Sequence, residues 1–322
     1  MAVYTNVSDQ QLNDFLSTYD LGAPKSFKGI AEGVENTNFL LETEKGRYIL
    51  TLYEKRVNKN DLPFFLDLIE HLSNSGIICP TPIHDQDGNS LLMCAGRPAA
   101  LFTFLDGMSV RWPTAHHCGE LGKSMAEFHQ SGLSYKNTRA NSFTIEGMQE
   151  FYEAIEGDVH SIDPNLVTLI ENELKFLADN WPSDLPKGII HADLFPDNVF
   201  FLNDQVSGLI DFYFACTDFL ILDIAITLNA WCFEKDVSYN VTKASRLLNA
   251  YSKTRPIQPE ELEALPIIAR AAALRFLLTR TNDWLVTNEG ALVAKKDPME
   301  YVRKLKFHQS ITNPGSYGFK SN

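Results

Sequence analysis

At 322 residues, with 44% hydrophobic and 21% charged, the chain can bury a sizeable core in one large domain or two modest ones. Its 28 Lys and Arg against 41 Asp and Glu leave a formal charge of −13, which disfavours a general nucleic-acid surface, because that needs a basic footprint. The 5 cysteines (Cys79, Cys94, Cys118, Cys216, Cys232) are scattered, with no CxxC pair or Cys/His ligand spacing, so reduced thiols and no zinc are expected. With no basic-then-apolar leader and no apolar run of membrane-spanning length, the expectation is a soluble cytoplasmic protein without a membrane partner.

In chain order, Ser8 with Gln11 three residues later makes a capping box. Leu12, Phe15, Leu16 and Tyr19 then share a helical face, and Gly22 is a plausible stop. Residues 26–31, 38–42 and 47–52 read as three strands. Asp61 is placed to cap a helix whose buried face is Leu62, Phe65, Leu66, Ile69 and Leu72, ended by Gly76 and the prolines at 80 and 82. Two more strands follow at 90–93 and 97–104, then Asp106-Gly107, where the pattern turns helical. Helices are predicted over 113–131, 164–180, 220–233, 238–254, 259–289 and 297–309, with Pro266 breaking or kinking the fifth. The Gly/Ser/Asn-rich stretch 313–322 reads as a mobile tail.

One stretch carries chemistry. His191-Ala192-Asp193-Leu194-Phe195-Pro196-Asp197-Asn198 has the order His-x-Asp-x-x-x-x-Asn, and Ile210-Asp211-Phe212 follows. Phosphoryl transfer to a hydroxyl needs a carboxylate to orient the hydroxyl and take its proton, and hard oxygen ligands for Mg²⁺ on the ATP phosphates. Asp193 fits the first need, and Asn198 and Asp211 the second. Residues 188–190 lead in like a short strand. Strands at 199–202 and 206–210 around Asn203-Asp204-Gln205 form a hairpin that brings Asp211 back beside Asn198. His191 reads as a loop brace and Asp197 as a turn former. A P-loop is excluded: Gly122-Lys123-Ser124 lies mid-helix, and His117 stands where the first glycine is required. Gly29 and Gly33, in the turn 29–37 that also holds Asn36, are candidates to let backbone N–H groups approach a phosphate.

On these motifs the chain resembles the small-molecule kinases of protein-kinase-like fold, which include aminoglycoside phosphotransferases, choline kinases and methylthioribose kinases. Gly33-Val34-Glu35-Asn36-Thr37-Asn38, residues 48–54 and residues 62–66 make it most similar to the bacterial homoserine kinases of that fold, over about residues 1–310. The resemblance implies an α+β, two-lobed architecture. Residues 1–105 would form a small antiparallel-sheet lobe that binds nucleotide, and 106–312 a mainly helical lobe for catalysis and substrate. It implies transfer of the γ-phosphate of MgATP to L-homoserine, in threonine biosynthesis, with adenine near Phe102 and Phe104.

One departure matters. The third-strand Lys of this fold falls on Thr51, and its partner Glu on Phe65, so both halves of an ion pair are absent. Lys55, Arg56 and Arg47 are candidate replacements. Arg275 or Arg280 could fork onto the homoserine carboxylate, and Asp218 or Asp223 could meet its ammonium. Bracing ion pairs are the commoner fate of such side chains, and Asp223 in particular could brace the catalytic hairpin. Other readings remain open: a sister kinase for aminoglycoside, choline or methylthioribose, or an ATP-binding pseudokinase that serves as an interaction module. The sequence does not give the oligomeric state.

Overall fold

A computed structural model describes residues 5–30, 36–54, 58–286 and 295–319. The chain divides into two compact units. The first is Met1–Gly107 with Ser207–Tyr213, and the second is Met108–Val206 with Phe214–Asn322.

In the first unit, helix α1 (Asp9–Leu16) starts at the expected capping box: Ser8 Oγ accepts from Gln11 N–H, and the Gln11 side chain accepts from Ser8 N–H. Its face of Leu12, Phe15 and Leu16 packs on a core with Phe39, Leu41, Leu50, Leu52 and Leu101. Strands β1 (Pro24–Ile30), β2 (Thr37–Thr43), β3 (Arg47–Leu52), β4 (Pro82–Ile83), β5 (Leu92–Cys94) and β6 (Arg97–Thr103) make one antiparallel sheet. Its order is β1-β2-β3-β6-β4, with β5 also on β6. Thr51 lies opposite Asn38 on one side and Ala100 on the other.

Helix α2 (Leu62–Asn74) buries the predicted face, but Asp61 is not its side-chain cap. A capping side chain needs extended backbone, and Asp61 sits at helical φ −88°, ψ −14°; Asn58 instead caps a short turn over Lys59–Asp61. The segment Ser207–Tyr213 was expected in the helical part of the chain. It is fastened to the sheet unit by Leu209 N–H to Ile78 O (3.0 Å) and Ser207 Oγ–H to Asp106 O (2.8 Å). Gly208 allows this, since a Cβ there would lie 2.5 Å from Leu105 Cδ1.

The second unit contains α3 (Ala115–Gly132), α4 (Ile145–Glu153), α5 (Glu156–Val159), α6 (Asn165–Asn180), α7 (Leu220–Trp231), α8 (Val241–Thr254), α9 (Pro259–Val286) and α10 (Met299–Ser310). Its short strands are β7 (Met108–Ser109), β8 (Lys187–Ile190), β9 (Val199–Leu202) and β11 (Cys216–Phe219), with β10 (Gln205–Leu209) leading out of it. β7 pairs with β9, and β8 with β11. The turn Asn203-Asp204 has positive φ at both residues (52° and 61°), as a two-residue hairpin turn requires. Gly122 serves helix packing: a Cβ there would collide with the Leu247 carbonyl of α8.

Two expectations fail here. α9 runs unbroken through Pro266, whose flanks Ala264, Leu265, Ile268 and Ala269 are buried, so packing outweighs the one lost backbone bond. The tail is anchored as far as it is described: Tyr317 is fully buried and its hydroxyl bonds His308 Nδ1 at 2.8 Å. All five cysteines are free and buried, and no described helix is long and apolar enough to cross a membrane.

Candidate active site

The stretch 191–198 leaves β8 through Ala192 at φ +62°, a left-handed conformation that a residue with Cβ keeps only when its surroundings impose it. They do so bond by bond. Asp223, fully buried on α7, accepts from His191 N–H and Ala192 N–H, each at 2.7 Å. Arg275 Nη1 of α9 donates to Ala192 O (2.8 Å), and Trp231 Nε1 of α7 donates to Leu194 O (2.7 Å). Asn198 Nδ2 donates to both Asp193 O (2.8 Å) and Asp193 Oδ2 (2.9 Å). The Asp193 carboxylate thus has one oxygen held by an amide and its backbone pinned on both sides. Asp197 lies in the short turn Pro196–Asn198, as expected.

Asp223 therefore braces the loop and does not meet an ammonium. Burial raises its carboxyl, but the hydrogen bond from His129 and the fields of His129 and His191 outweigh that and hold it below the usual carboxylate range. Behind it a buried relay continues: His129 Nε2 to Asp223 Oδ2 (3.0 Å), His129 Nδ1 to Tyr251 OH (2.7 Å), and Arg255 onto both Tyr251 and Glu261. Neither His129 nor Trp231 was read from the sequence as serving the loop, because each stands alone on a helix among apolar neighbours, where packing is the ordinary role.

Arg275 is a buried cation of this unit. It is 3% exposed, lies near the rings of Phe143, Phe214 and Phe276, and makes no ion pair among the described residues; its Nε has no hydrogen-bond partner. Burial pushes its pKa down, while the charge of Asp193 holds it up. It lines a cavity of about 280 Å³ together with Asn141, Phe143, Trp181, Lys187 and Asp218. Asp218 Oδ2 accepts from Asn141 Nδ2 at 2.7 Å. Arg275 and Asp218 thus line one cavity, and the Arg275 guanidinium also touches the stretch 191–198.

Arg280 is not part of this group. It pairs with Glu300 (2.6 Å), as does Lys304. Lys304 is buried and Glu300 is about a third exposed. Burial would raise the Glu300 carboxyl, but the two cations hold it at about 2.

In the first unit, Thr51 is buried and its Oγ1 donates to Asn38 Oδ1 (2.8 Å), a neutral pair where the fold's Lys would stand. Asn36 is buried, with its Oδ1 3.4 Å from Glu54 N. Gly29 is not in a turn: it lies within β1 opposite Phe39. Gly33 falls outside the described residues, as do Lys55 and Arg56. Arg47 is committed elsewhere, paired with Asp106 (2.9 Å) over the Phe104 ring (4.2 Å). Phe102 is buried in β6 opposite Ile49. The Glu54–Arg97 pair (3.2 Å) is no substitute either, because Glu54 is three residues from Thr51 and bonds Thr5 and Thr37. Asp211 holds φ +66°.

The phosphotransferase enzyme family model matches residues 26–257. A homoserine kinase of Paramagnetospirillum magneticum is 57% identical over 99% of this chain and 100% of its own, and one of Xanthobacter autotrophicus is 56% identical over 99% of each. Among solved structures, an amicoumacin kinase in complex with AMP-PNP and Ca²⁺ superposes with a TM-score of 0.71 at 18% identity, covering 95% of each chain. A microcompartment-associated aminopropanol kinase does so at 0.66 and 17%, covering 97% of this chain and 98% of its own. These last two bear on the fold alone.

Proposed function

This chain belongs to the phosphotransferase enzyme family, and within it we propose a homoserine kinase that transfers the γ-phosphate of ATP to the hydroxyl of L-homoserine. The observation that carries the substrate is the cavity in which Arg275, without an ion partner, faces Asp218. Homoserine is a zwitterion with a primary hydroxyl, so it needs one fixed cation, one fixed anion and a base beyond them. Arg275 takes the carboxylate, with a guanidinium that has no ion partner among the described residues. Asp218, oriented by Asn141, takes the ammonium. Asp193 orients the hydroxyl and accepts its proton as the phosphoryl group leaves ATP, and the bond to Ala192 O ties the substrate-binding Arg275 to the base's own backbone. We assign the sheet unit, with Thr51, Asn36, Phe102 and Phe104, to the nucleotide.

The donor set fits Mg²⁺. Asn198 and Asp211 present hard oxygen atoms. With these as its only protein ligands, the ion would rely on phosphate oxygens and water for the rest of its coordination. When bound, Mg²⁺ neutralises charge on the transferring phosphoryl group. The cytoplasm, where ATP and free amino acids meet, is the compartment this reaction needs.

The test is ADP release from MgATP with L-homoserine, choline, kanamycin and methylthioribose as acceptors. Turnover is expected with homoserine, with Asp193→Asn lowering kcat by about 10²–10⁴. Turnover with a different acceptor alone would sink the substrate assignment. A near-normal rate in Asp193→Asn would sink the role of Asp193.

A further inference from the structure

The missing ion pair leaves a mechanical problem inside the sheet unit. In kinases of this fold, a third-strand Lys and a helix Glu join strand and helix close to the metal-binding Asp. Here Thr51 and Phe65 occupy those positions, both buried and neutral. Yet Asp211 is held at φ +66°, a left-handed conformation that a residue with Cβ keeps where its surroundings favour it.

The surroundings just past Asp211 include an aromatic cluster. Tyr213, two residues past Asp211, meets Tyr53 edge-on at 5.5 Å between ring centres and Phe65 edge-on at 5.7 Å. Its hydroxyl donates to Tyr53 OH at 3.2 Å. Tyr53 is fully buried just beyond β3, with its N–H on Pro98 O (2.8 Å). It lies two residues from Thr51, so it shares that residue's face of the strand. Phe65 stands at the helix position where the Glu is absent. Strand, helix and metal-binding segment are therefore joined by three rings and one hydroxyl bond, in the places where two charges would otherwise join strand to helix. Edge-to-face rings pack without the desolvation cost of a buried Lys and Glu.

We propose that Tyr53, Phe65 and Tyr213 are positioning residues for Asp211: the aromatic clasp sets the conformation in which its carboxylate receives the divalent cation, replacing the lost ion pair. This rests on reading Asp211 as a Mg²⁺ ligand. A clasp that only stabilised the fold would lower the melting temperature and leave metal linkage untouched.

The experiment is titration of ADP into the protein by calorimetry, in Mg²⁺ and in excess EDTA, for the wild type, Asp211→Asn, Tyr213→Ala, Tyr53→Phe and Tyr213→Phe. The readout is the ratio of the two affinities. Asp211→Asn abolishes the Mg²⁺ enhancement. Tyr213→Ala cuts it at least tenfold while ADP affinity in EDTA stays within about twofold of the wild type. The two Phe variants, which keep ring shape and remove one hydroxyl bond, cut it roughly three- to tenfold. Should Tyr213→Ala not fold, the Phe variants decide. If Asp211→Asn loses the enhancement and the Phe variants keep it, the clasp does not position Asp211 and the proposal is overturned. If Asp211→Asn keeps it, the ligand reading itself fails, and the proposal with it.

Discussion

Around residues 191–198, buried charge is kept and held by backbone groups. Asp223 has no solvent exposure, yet it accepts two backbone N–H groups and the His129 ring, and Arg275 beside it donates to a backbone carbonyl. Around Thr51 in the sheet unit the opposite has happened. The strand position and its helix partner carry no charge, and the contacts are a hydroxyl–amide bond and aromatic edges. A buried ion survives where several donors converge on it and cannot be removed without stranding them. A two-membered pair is easier to lose, provided both members go together. The first region should therefore fail abruptly on mutation and the second mildly.

The sharpest break is Asp223→Asn. An amide has one oxygen where three donors now converge, and its NH₂ group must face a backbone N–H or the imidazole. We expect a loss of about 3–5 kcal/mol in denaturant-derived stability and at least about 10²-fold in kcat, since the Asp193 backbone loses both of its N-terminal anchors. A loss below 1 kcal/mol would show that the loop is held without it.

Next is Arg275→Met, which keeps the bulk among the three rings and removes the charge. The KM for homoserine should rise roughly 10²-fold, from the loss of a charge-assisted fork of about 3 kcal/mol, with the KM for ATP unchanged. Equal shifts in both constants would place Arg275 outside the acceptor site. Arg280→Ala is the control on the same helix: it loosens Glu300 and Lys304 but leaves both constants alone.

Acid should then separate structural charge from catalytic charge. The Glu300 carboxyl is held at about 2, below its unfolded value near 4.3 (an approximate reference), so its contribution is complete above that value and drains away as pH falls towards 2. His308, buried with Tyr317 and Asn229 on its two nitrogens, is lowered to about 3 by burial and then by the Lys304 and Arg270 charges. The unfolded chain gains that proton near pH 6.5 (again approximate) and the folded one does not, so stability falls as pH drops from there towards 3. Denaturation midpoints at pH 7, 5.5 and 4 should descend in that order. In Glu300→Gln the part of the descent below about pH 4.5 should shrink, with roughly 2 kcal/mol already lost at pH 7 because buried Lys304 loses its partner.

What could be read in advance follows the same division. Asp193, Asn198 and Asp211 stood out as candidates because phosphoryl transfer fixes both residue type and spacing. The strands at 38–42 and 47–52 and the α2 face were legible from periodicity. The vacancy at Thr51 and Phe65 was legible as well, but its replacement was not: Tyr53 and Tyr213 are 160 residues apart, and only the fold makes them neighbours. The same holds for Asn141 behind Asp218, and for His129 and Trp231 behind the loop. The placement of Ser207–Tyr213 with the sheet depended on a close approach at Gly208, which no periodicity records. Asp61 and Pro266 misled because local propensity was outvoted, by a preceding turn in one case and by packing in the other.

The mildest test lies at Thr51 itself. Thr51→Val keeps shape and removes only the bond to Asn38 Oδ1, so about 1 kcal/mol of stability should go, with ADP affinity nearly unchanged. Thr51→Lys turns the comparison round. It restores the fold's usual cation opposite Phe65, which cannot answer it, so the ammonium is buried without a partner and the cost should exceed that of Thr51→Val several-fold. Adding Phe65→Glu supplies the partner but removes one ring from Tyr213. If the double variant recovers stability to within about 1 kcal/mol of the wild type, the ion pair and the aromatic contacts are interchangeable supports. If it is worse than either single change, the sheet unit has been rebuilt around its rings, and the loss of the Lys can no longer be reversed at those two positions alone.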